Sequence, residues 1–305
     1  MGTGVLYSWN WMYTINPAPF DYVRVSSIKE AVELLSKYGE DAKIIAGGQS
    51  LLLLMRKRLV KPKVLIDINF IPNLNYIEVK DNYLVIGALT TFSDILTSQT
   101  ITNECPLVRD ASLTVGDVQV RNRATIGGNL VEAAPGANLL PVLLATDAEI
   151  VVTGPTGEKV YTAANFFTGP YASAIGKDEV LTEVRIPVGK FDNYVHSYVK
   201  VARRVQEFGI LTVAALIKLS NDGVVKDARI ALGNAARVPV RAKAAEEALI
   251  DKRLSKDVIE NVSKVADSGI DVRSTAAASA DYRRQLIRVY VKRVLMDVAR
   301  KAGVM

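Results

Sequence analysis

Two short stretches of this chain carry residue types that could hold an anion: Ala46-Gly47-Gly48-Gln49-Ser50 and Thr125-Ile126-Gly127-Gly128-Asn129. Glycine permits positive φ and lets a backbone come close to a ligand. Consecutive N–H groups in such a turn converge on one concavity and can take phosphate oxygens without any lysine. Gln49, Ser50, Thr125 and Asn129 add neutral side-chain donors at the same places. A helix expected to start near Leu51 adds its positive end at the first stretch. Two such turns suit the two phosphates of a dinucleotide; the plainer alternative is a pair of tight turns that bind nothing. Neither stretch has a Gly-x-Gly-x-x-Gly fingerprint or a Gly-Lys-Ser/Thr ending. The residues alone therefore point to an anion site and leave its ligand open.

Other chemistries are excluded by counting. Cys105 is the only cysteine among the 305 residues and His196 the only histidine. An iron–sulfur cluster needs about four ligands, usually thiolates, and structural zinc sites need several Cys or His. Any redox chemistry must come from a bound organic cofactor, and neither a catalytic residue nor a metal ligand is assigned. His196, on a strand-like segment with no partner motif, reads as structural, and Cys105 as a helix-packing residue. The lone thiol fits a reducing cytoplasm. A net charge of +6, with basic residues mostly spread out, carries no aromatic-interleaved nucleic-acid motif. No apolar run approaches the roughly 18 residues of a membrane span, and no secretory signal is visible. Met12 is a candidate natural start, which leaves residues 1–11 as an extension.

The elements that must position the glycine pairs follow from periodicity and punctuation. Ser27-Ile28-Lys29-Glu30 reads as a capping box opening a helix that Gly39 ends. Lys43–Ala46 is strand-like and runs into the first glycine pair. Val64–Ile68 and Tyr83–Leu89 are strand-like, Cys105–Val118 helical, Leu139–Ala145 helical and Glu149–Val152 a strand before the turn Gly154-Pro155-Thr156-Gly157. Val180–Ile186 is a strand stopped by Pro187, and the polar stretch Gly189–Asn193 is the expected domain boundary. Beyond it, Tyr194–Ala202, Leu211–Leu219 and Val224–Gly233 predict a three-stranded antiparallel sheet, with Asn221-Asp222-Gly223 as a hairpin turn. Helices then start near Pro239, at Ser255 and near Ser279, the last striped by Leu286, Tyr290, Val294 and Val298. The expected class is α+β.

At these residues the chain resembles the FAD-binding medium subunits of the molybdenum hydroxylase family, which includes carbon monoxide dehydrogenase, xanthine dehydrogenase and archaeal aldehyde or glyceraldehyde oxidoreductases. The resemblance rests on Pro17-Ala18-Pro19-Phe20-Asp21-Tyr22, the two glycine stretches with Gln119–Arg123 before the second, Phe166–Gly169, Glu179–Pro187, Pro239–Ala242 and Tyr282–Leu286. It runs in order from about residue 13 to 303. It implies a FAD-binding domain of the vanillyl-alcohol-oxidase type over 12–188, in two α+β subdomains of about 12–68 and 69–188. A flavoprotein C-terminal domain over 193–303, a three-stranded antiparallel sheet with helices, would follow.

The same resemblance implies roles. Residues 46–50 and 125–129 would wrap the FAD diphosphate. Asn138 stands where relatives often carry Asp, so it would hydrogen-bond without supplying charge. Leu181 would pack by the flavin or ribityl group. Lys200 would stabilise negative charge on reduced flavin, where a strand lysine in solvent is the alternative. Glu207-Phe208 falls where relatives often have Asp and an aromatic, and Phe208 would cover one face of the isoalloxazine ring or, failing that, pack in a core. The implied partners are a large molybdopterin subunit and a small subunit holding [2Fe-2S] clusters, as a heterotrimer or dimer of heterotrimers. The chain would pass electrons from the clusters to an external acceptor, with an aldehyde as substrate of the complex. A stand-alone flavin oxidase or dehydrogenase of the same fold, or a scaffold that has lost its cofactor, are the competing readings.

Overall fold

The computed structural model describes residues 16–305; the expectations about residues 1–11 and a domain start at residue 12 lie outside the described residues. In chain order the elements are β1 Asp21–Arg24, α1 Ile28–Tyr38, β2 Ala42–Ile45, α2 Leu51–Arg56 and β3 Val64–Asp67, then β4 Ile77–Lys80 and β5 Tyr83–Gly87. Six helices follow: α3 Phe92–Thr97, α4 Gln99–Glu104, α5 Pro106–Leu113, α6 Val118–Arg121, α7 Ile126–Glu132 and α8 Leu139–Ala145. Next come β6 Glu149–Gly154, β7 Gly157–Thr162, α9 Ala163–Phe166, the short β8 Phe167–Gly169 and β9 Ala172–Ser173, and β10 Val180–Pro187. The chain ends with β11 Tyr194–Val201, β12 Leu211–Leu219, β13 Val225–Gly233, β14 Val240–Arg241, α10 Lys243–Leu249, α11 Lys256–Lys264 and α12 Ala280–Lys301.

Three sheets carry the architecture. The first is parallel, ordered β1-β3-β2, with Asp21 beside Val64 and Ala42 beside Val64 on the other edge. The second is antiparallel, ordered β4-β5-β10-β6-β7, with a register shift between Leu181 and Glu183 where β10 meets β6. The third is ordered β11-β12-β13-β14, so the expected three strands gain a two-residue edge strand just after Pro239, and α10 begins only at Lys243. Gly223, at φ +79°, makes the Asn-Asp-Gly hairpin between β12 and β13.

The third sheet is the hinge of the whole arrangement because both its faces are covered. On β12, Val213, Ala215 and Ile217 join the core under α10–α12, while Ala214 and Leu216 join the central core built around α5, α7, α8 and the second sheet. This two-sided burial explains why β12 reads as an unbroken apolar run rather than an alternation. Each buried Val, Leu or Ile contributes about 1.5–3 kcal/mol, so sheet and helices are held together. The packing sets β11 against α5 and β12 and β13 against α8.

Two helix expectations change. Cys105–Val118 is not one helix: α5 starts at Pro106 and ends at Leu113, and the chain turns through Gly116 at φ +44° before α6 begins at Val118. Proline lacks the N–H an inner turn needs and keeps the preceding residue out of helical space. At α1 the Ser27 hydroxyl accepts from the Glu30 amide at 3.2 Å, but Glu30 returns its bond to the Ser26 amide at 2.9 Å. The fully reciprocal box lies instead at Thr91 and Asp94, opening α3.

Candidate functional site

The first glycine stretch leaves β2 at Ala46 and turns into α2, with Gly48 at φ +73°. Any side chain on Gly47 would overlap the Arg123 carbonyl. This loop is therefore pressed against the chain just ahead of the second stretch. Among the described residues, the main-chain amides of 47–51 find no acceptor; the first helical bond is Leu52 N to the Gly48 carbonyl at 3.2 Å. Five N–H groups without an acceptor in one bend are able to receive an anion. The Gln49 side chain bends back to donate to the Gly47 carbonyl at 3.3 Å, and the Ser50 hydroxyl donates to Glu132 Oε2 at 2.6 Å.

A side-chain scaffold holds this loop from behind. Asn69 Nδ2 donates to the Ala46 carbonyl at 3.0 Å and to Asp67 Oδ1 at 2.6 Å, and the Tyr22 hydroxyl donates to Asp67 Oδ2. Burial disfavours the Asp67 charge, but the bonds from Tyr22 and Asn69 outweigh it and hold the carboxyl below its usual value.

The second stretch is built differently, and here the expectation of a second open turn is corrected. Thr125 caps α7, and Gly127 and Gly128 lie inside the helix without positive φ. Its amides are already spent: Ile126 on the Thr90 carbonyl at 2.9 Å, Gly127 on Ala88 at 2.9 Å, Gly128 on the Thr125 hydroxyl at 3.2 Å and Asn129 on the Thr125 carbonyl at 3.0 Å. Gly127 is required for close approach, since a Cβ there would stand 2.8 Å from the Ala88 oxygen. Gly128 faces open space apart from the Thr125 hydroxyl, 3.0 Å from where a Cβ would be. Ile126 is fully buried, and Asn129 Oδ1 is buried with no hydrogen-bond partner among the described residues.

A second group of candidates gathers where β11 meets α5 and α8, joined to the first by the continuous segment 125–138. The Lys200 ammonium donates to the Thr114 carbonyl at 2.6 Å, and half-burial lowers its pKa; it is not a lysine in open solvent. Asn138 is buried, and its amide nitrogen serves Thr114 Oγ1 at 2.7 Å and the Ala111 carbonyl at 3.3 Å. The Tyr198 hydroxyl, pushed up by burial, reaches the Asn138 carbonyl at 3.4 Å. Phe208 is 54% exposed, which rules out the core-packing alternative. Its loop abuts Gly136, where a Cβ would lie 2.8 Å from Phe208 Cβ, and Asn234 Nδ2 clamps the Gly209 carbonyl at 2.6 Å. Leu181 lies within the central core beside the register shift of β10, with almost no exposed surface.

Sequence reasoning missed Thr114, Glu132, Asp67, Asn69 and Asn234. Each acts through a partner distant in the chain, such as Ser50 and Glu132, 82 residues apart, so no local pattern marks them. His196 does have a partner, with Nε2 3.3 Å from Asp110 Oδ2. That contact lowers the Asp110 pKa. Cys105 is buried, and desolvation pushes its thiol up to about 12, an inert state. Among the described residues no group of three or more His, Cys, Asp or Glu is placed to hold a metal ion. No described helix is long and apolar enough to cross a membrane.

Free amides at 47–51 and open space over Gly128 fit the diphosphate of a dinucleotide lying across both stretches, to which Asn129 could offer only its Nδ2 donor. Comparisons with known proteins agree. Residues 18–189 match the family described as the FAD binding domain in molybdopterin dehydrogenase, and residues 196–298 the CO dehydrogenase flavoprotein C-terminal domain. The chain is 34% identical to the glyceraldehyde dehydrogenase medium chain of Sulfolobus acidocaldarius, covering 93% of this chain and 99% of that one. It is 35% identical to the 6-hydroxypseudooxynicotine dehydrogenase complex subunit alpha of Paenarthrobacter nicotinovorans, over 94% and 97%. Its fold superimposes on a chain of carbon monoxide dehydrogenase from Hydrogenophaga pseudoflava with a TM-score of 0.88 at 34% identity, covering 94% of this chain and 99% of that one. The chain belongs to the FAD-binding medium subunits of the molybdenum hydroxylase family, as an oxidoreductase subunit.

Proposed function

We propose that this chain is the electron-relay subunit of a heteromeric molybdenum-containing oxidoreductase that oxidises an aldehyde. Its partners would be a large molybdopterin subunit and a small [2Fe-2S] subunit, arranged as a heterotrimer or dimer of heterotrimers. The observation that carries the reading is the nest of five unspent amides at 47–51, pressed against the chain that leads into Thr125–Asn129. A single cysteine supports the division of labour, since the clusters need ligands this chain lacks. The aldehyde rests on the name of the Sulfolobus relative.

In this reading Ala46, Gly47, Gly48, Gln49 and Ser50 hold the diphosphate through the backbone. Thr125, Ile126, Gly127, Gly128 and Asn129 close the other side, with the Asn129 amide group as the side-chain contact. Asn138 and Leu181 shape the wall, Lys200 places a cation by the ring, and Phe208 covers it and excludes water. FAD, when bound, accepts and releases electrons in one- or two-electron steps. The proposed domains are 12–188 and 193–303.

The test is purification of the native complex with absorption spectroscopy and intact-complex mass spectrometry. The expected result is a flavin spectrum on this chain and two co-purifying polypeptides carrying molybdenum and iron. A chain that takes up no flavin even when FAD is added would overturn the cofactor role. Flavin without partner polypeptides would favour the stand-alone enzyme.

A further inference from the structure

Glu132 is a carboxylate in an unusual place. It is the last residue of α7, where helix carbonyls already present negative charge. It is part-buried, and among the described residues its one hydrogen bond is the 2.6 Å bond it accepts from the Ser50 hydroxyl. Desolvation raises its pKa above the usual value, and the Ser50 bond only partly offsets this. Among the described residues no Lys, Arg or His forms an ion pair with it. α7 and α8 carry no other ionisable side chain, and neither do β8 and β9. Tyr171, in the turn between those two strands, bonds α7 through its backbone, at the Ala133 carbonyl. On β10, which packs against α7, Glu183 and Arg185 are paired with each other. Arg56, at the far end of α2, makes no ion pair with Glu132.

The same Ser50 contributes its amide to the nest at 47–51. A diphosphate seated there brings about two negative charges next to this carboxylate, through a shared residue. While Glu132 is ionised it also pins the Ser50 hydroxyl away from the nest.

We propose that Glu132 is a cofactor-affinity residue that takes up a proton when the FAD diphosphate binds, releasing the Ser50 hydroxyl to the phosphate. The inference rests on the FAD reading above. By linkage, the bound form holds the Glu132 proton more tightly than the free form, so affinity is highest at low pH. It falls as pH rises from the free-state pKa toward the bound-state pKa, by at most about tenfold per pH unit for one proton.

The experiment is calorimetric titration of FAD into the flavin-depleted full chain between pH 5 and 8.5, in two buffers of different ionisation enthalpy. The expected result is net proton uptake and a dissociation constant that rises with pH. Glu132→Gln should abolish both and bind tightly across the range. Ser50→Ala should move the slope to higher pH, because the carboxyl loses its only donor. FAD binding without proton uptake in the natural chain, or a slope that survives Glu132→Gln, overturns the proposal while leaving the FAD reading intact. Failure of FAD to bind at any pH overturns both. Proton uptake is measured on the natural chain, so the test stands even if a variant fails to fold.

Discussion

The two glycine stretches look alike in sequence and work by different physics. At 46–50 the backbone is open: Gly48 takes positive φ, the amides of 47–51 are unspent, and the loop is held by Tyr22, Asp67 and Asn69 from outside. At 125–129 the backbone is closed: every amide from 126 to 129 is paired, and the glycines serve approach to Ala88 and an open surface over α7. Paired glycines next to polar residues thus mark places where backbone comes close to something, and the hydrogen-bond partners decide whether that something is ligand or protein.

The largest expected effect tests whether the two stretches are one structural unit. Gly47→Val drives a side chain into the Arg123 carbonyl, a backbone group that cannot swing aside. It should cost about 3 kcal/mol or more and eliminate flavin retention together with stability, read by thermal denaturation and absorbance. Unchanged melting would show that the loops separate freely.

Gly128→Leu separates the two roles. Its Cβ meets only the Thr125 hydroxyl, and leucine is a better helix former than glycine by about 0.8 kcal/mol. The fold should survive while flavin affinity falls by about a hundredfold or more, roughly 3 kcal/mol. Full flavin binding would show that the surface over α7 is not the ligand face.

Asp67→Ala attacks the outside support of the first loop. It should lower stability by about 1–2 kcal/mol and loosen flavin binding, whereas the second loop has no such prop to lose. The sign of the acid response follows. The folded-state pKa of Asp67 lies below its ordinary 3.8. Its stabilisation is therefore present above that value and is lost as pH falls through the folded-state pKa. Acid melts of the natural chain and the variant should draw together as pH falls through the folded-state pKa.

The smallest effect is at Asn129. Its Oδ1 has no protein partner among the described residues, so Asn129→Ala should leave the flavin-free chain within about 0.5 kcal/mol. It should weaken FAD binding by roughly tenfold, the worth of one hydrogen bond donated by its Nδ2. Equal losses in both states would place its contact inside the protein.

What the sequence by itself determined is what acts over short range. Gly39 ending α1, the hairpin at Gly223, the start of α12 at Ser279 and the positive-φ bend at Gly48 follow from backbone permissions and caps, which neighbouring residues decide. A chain with one cysteine cannot by itself hold an iron–sulfur cluster with about four thiolate ligands. Only the tertiary structure decided how the second glycine pair is used, because its amides pair with carbonyls of Thr90 and Ala88, more than thirty residues earlier. The same holds for Lys200 on Thr114, Asn138 beneath α5 and Glu132 on Ser50. The Lys200 and Asn138 contacts exist because β12 is buried on both faces and draws the third sheet against α5 and α8. Burial is a property of the assembled core, and no window of residues contains it.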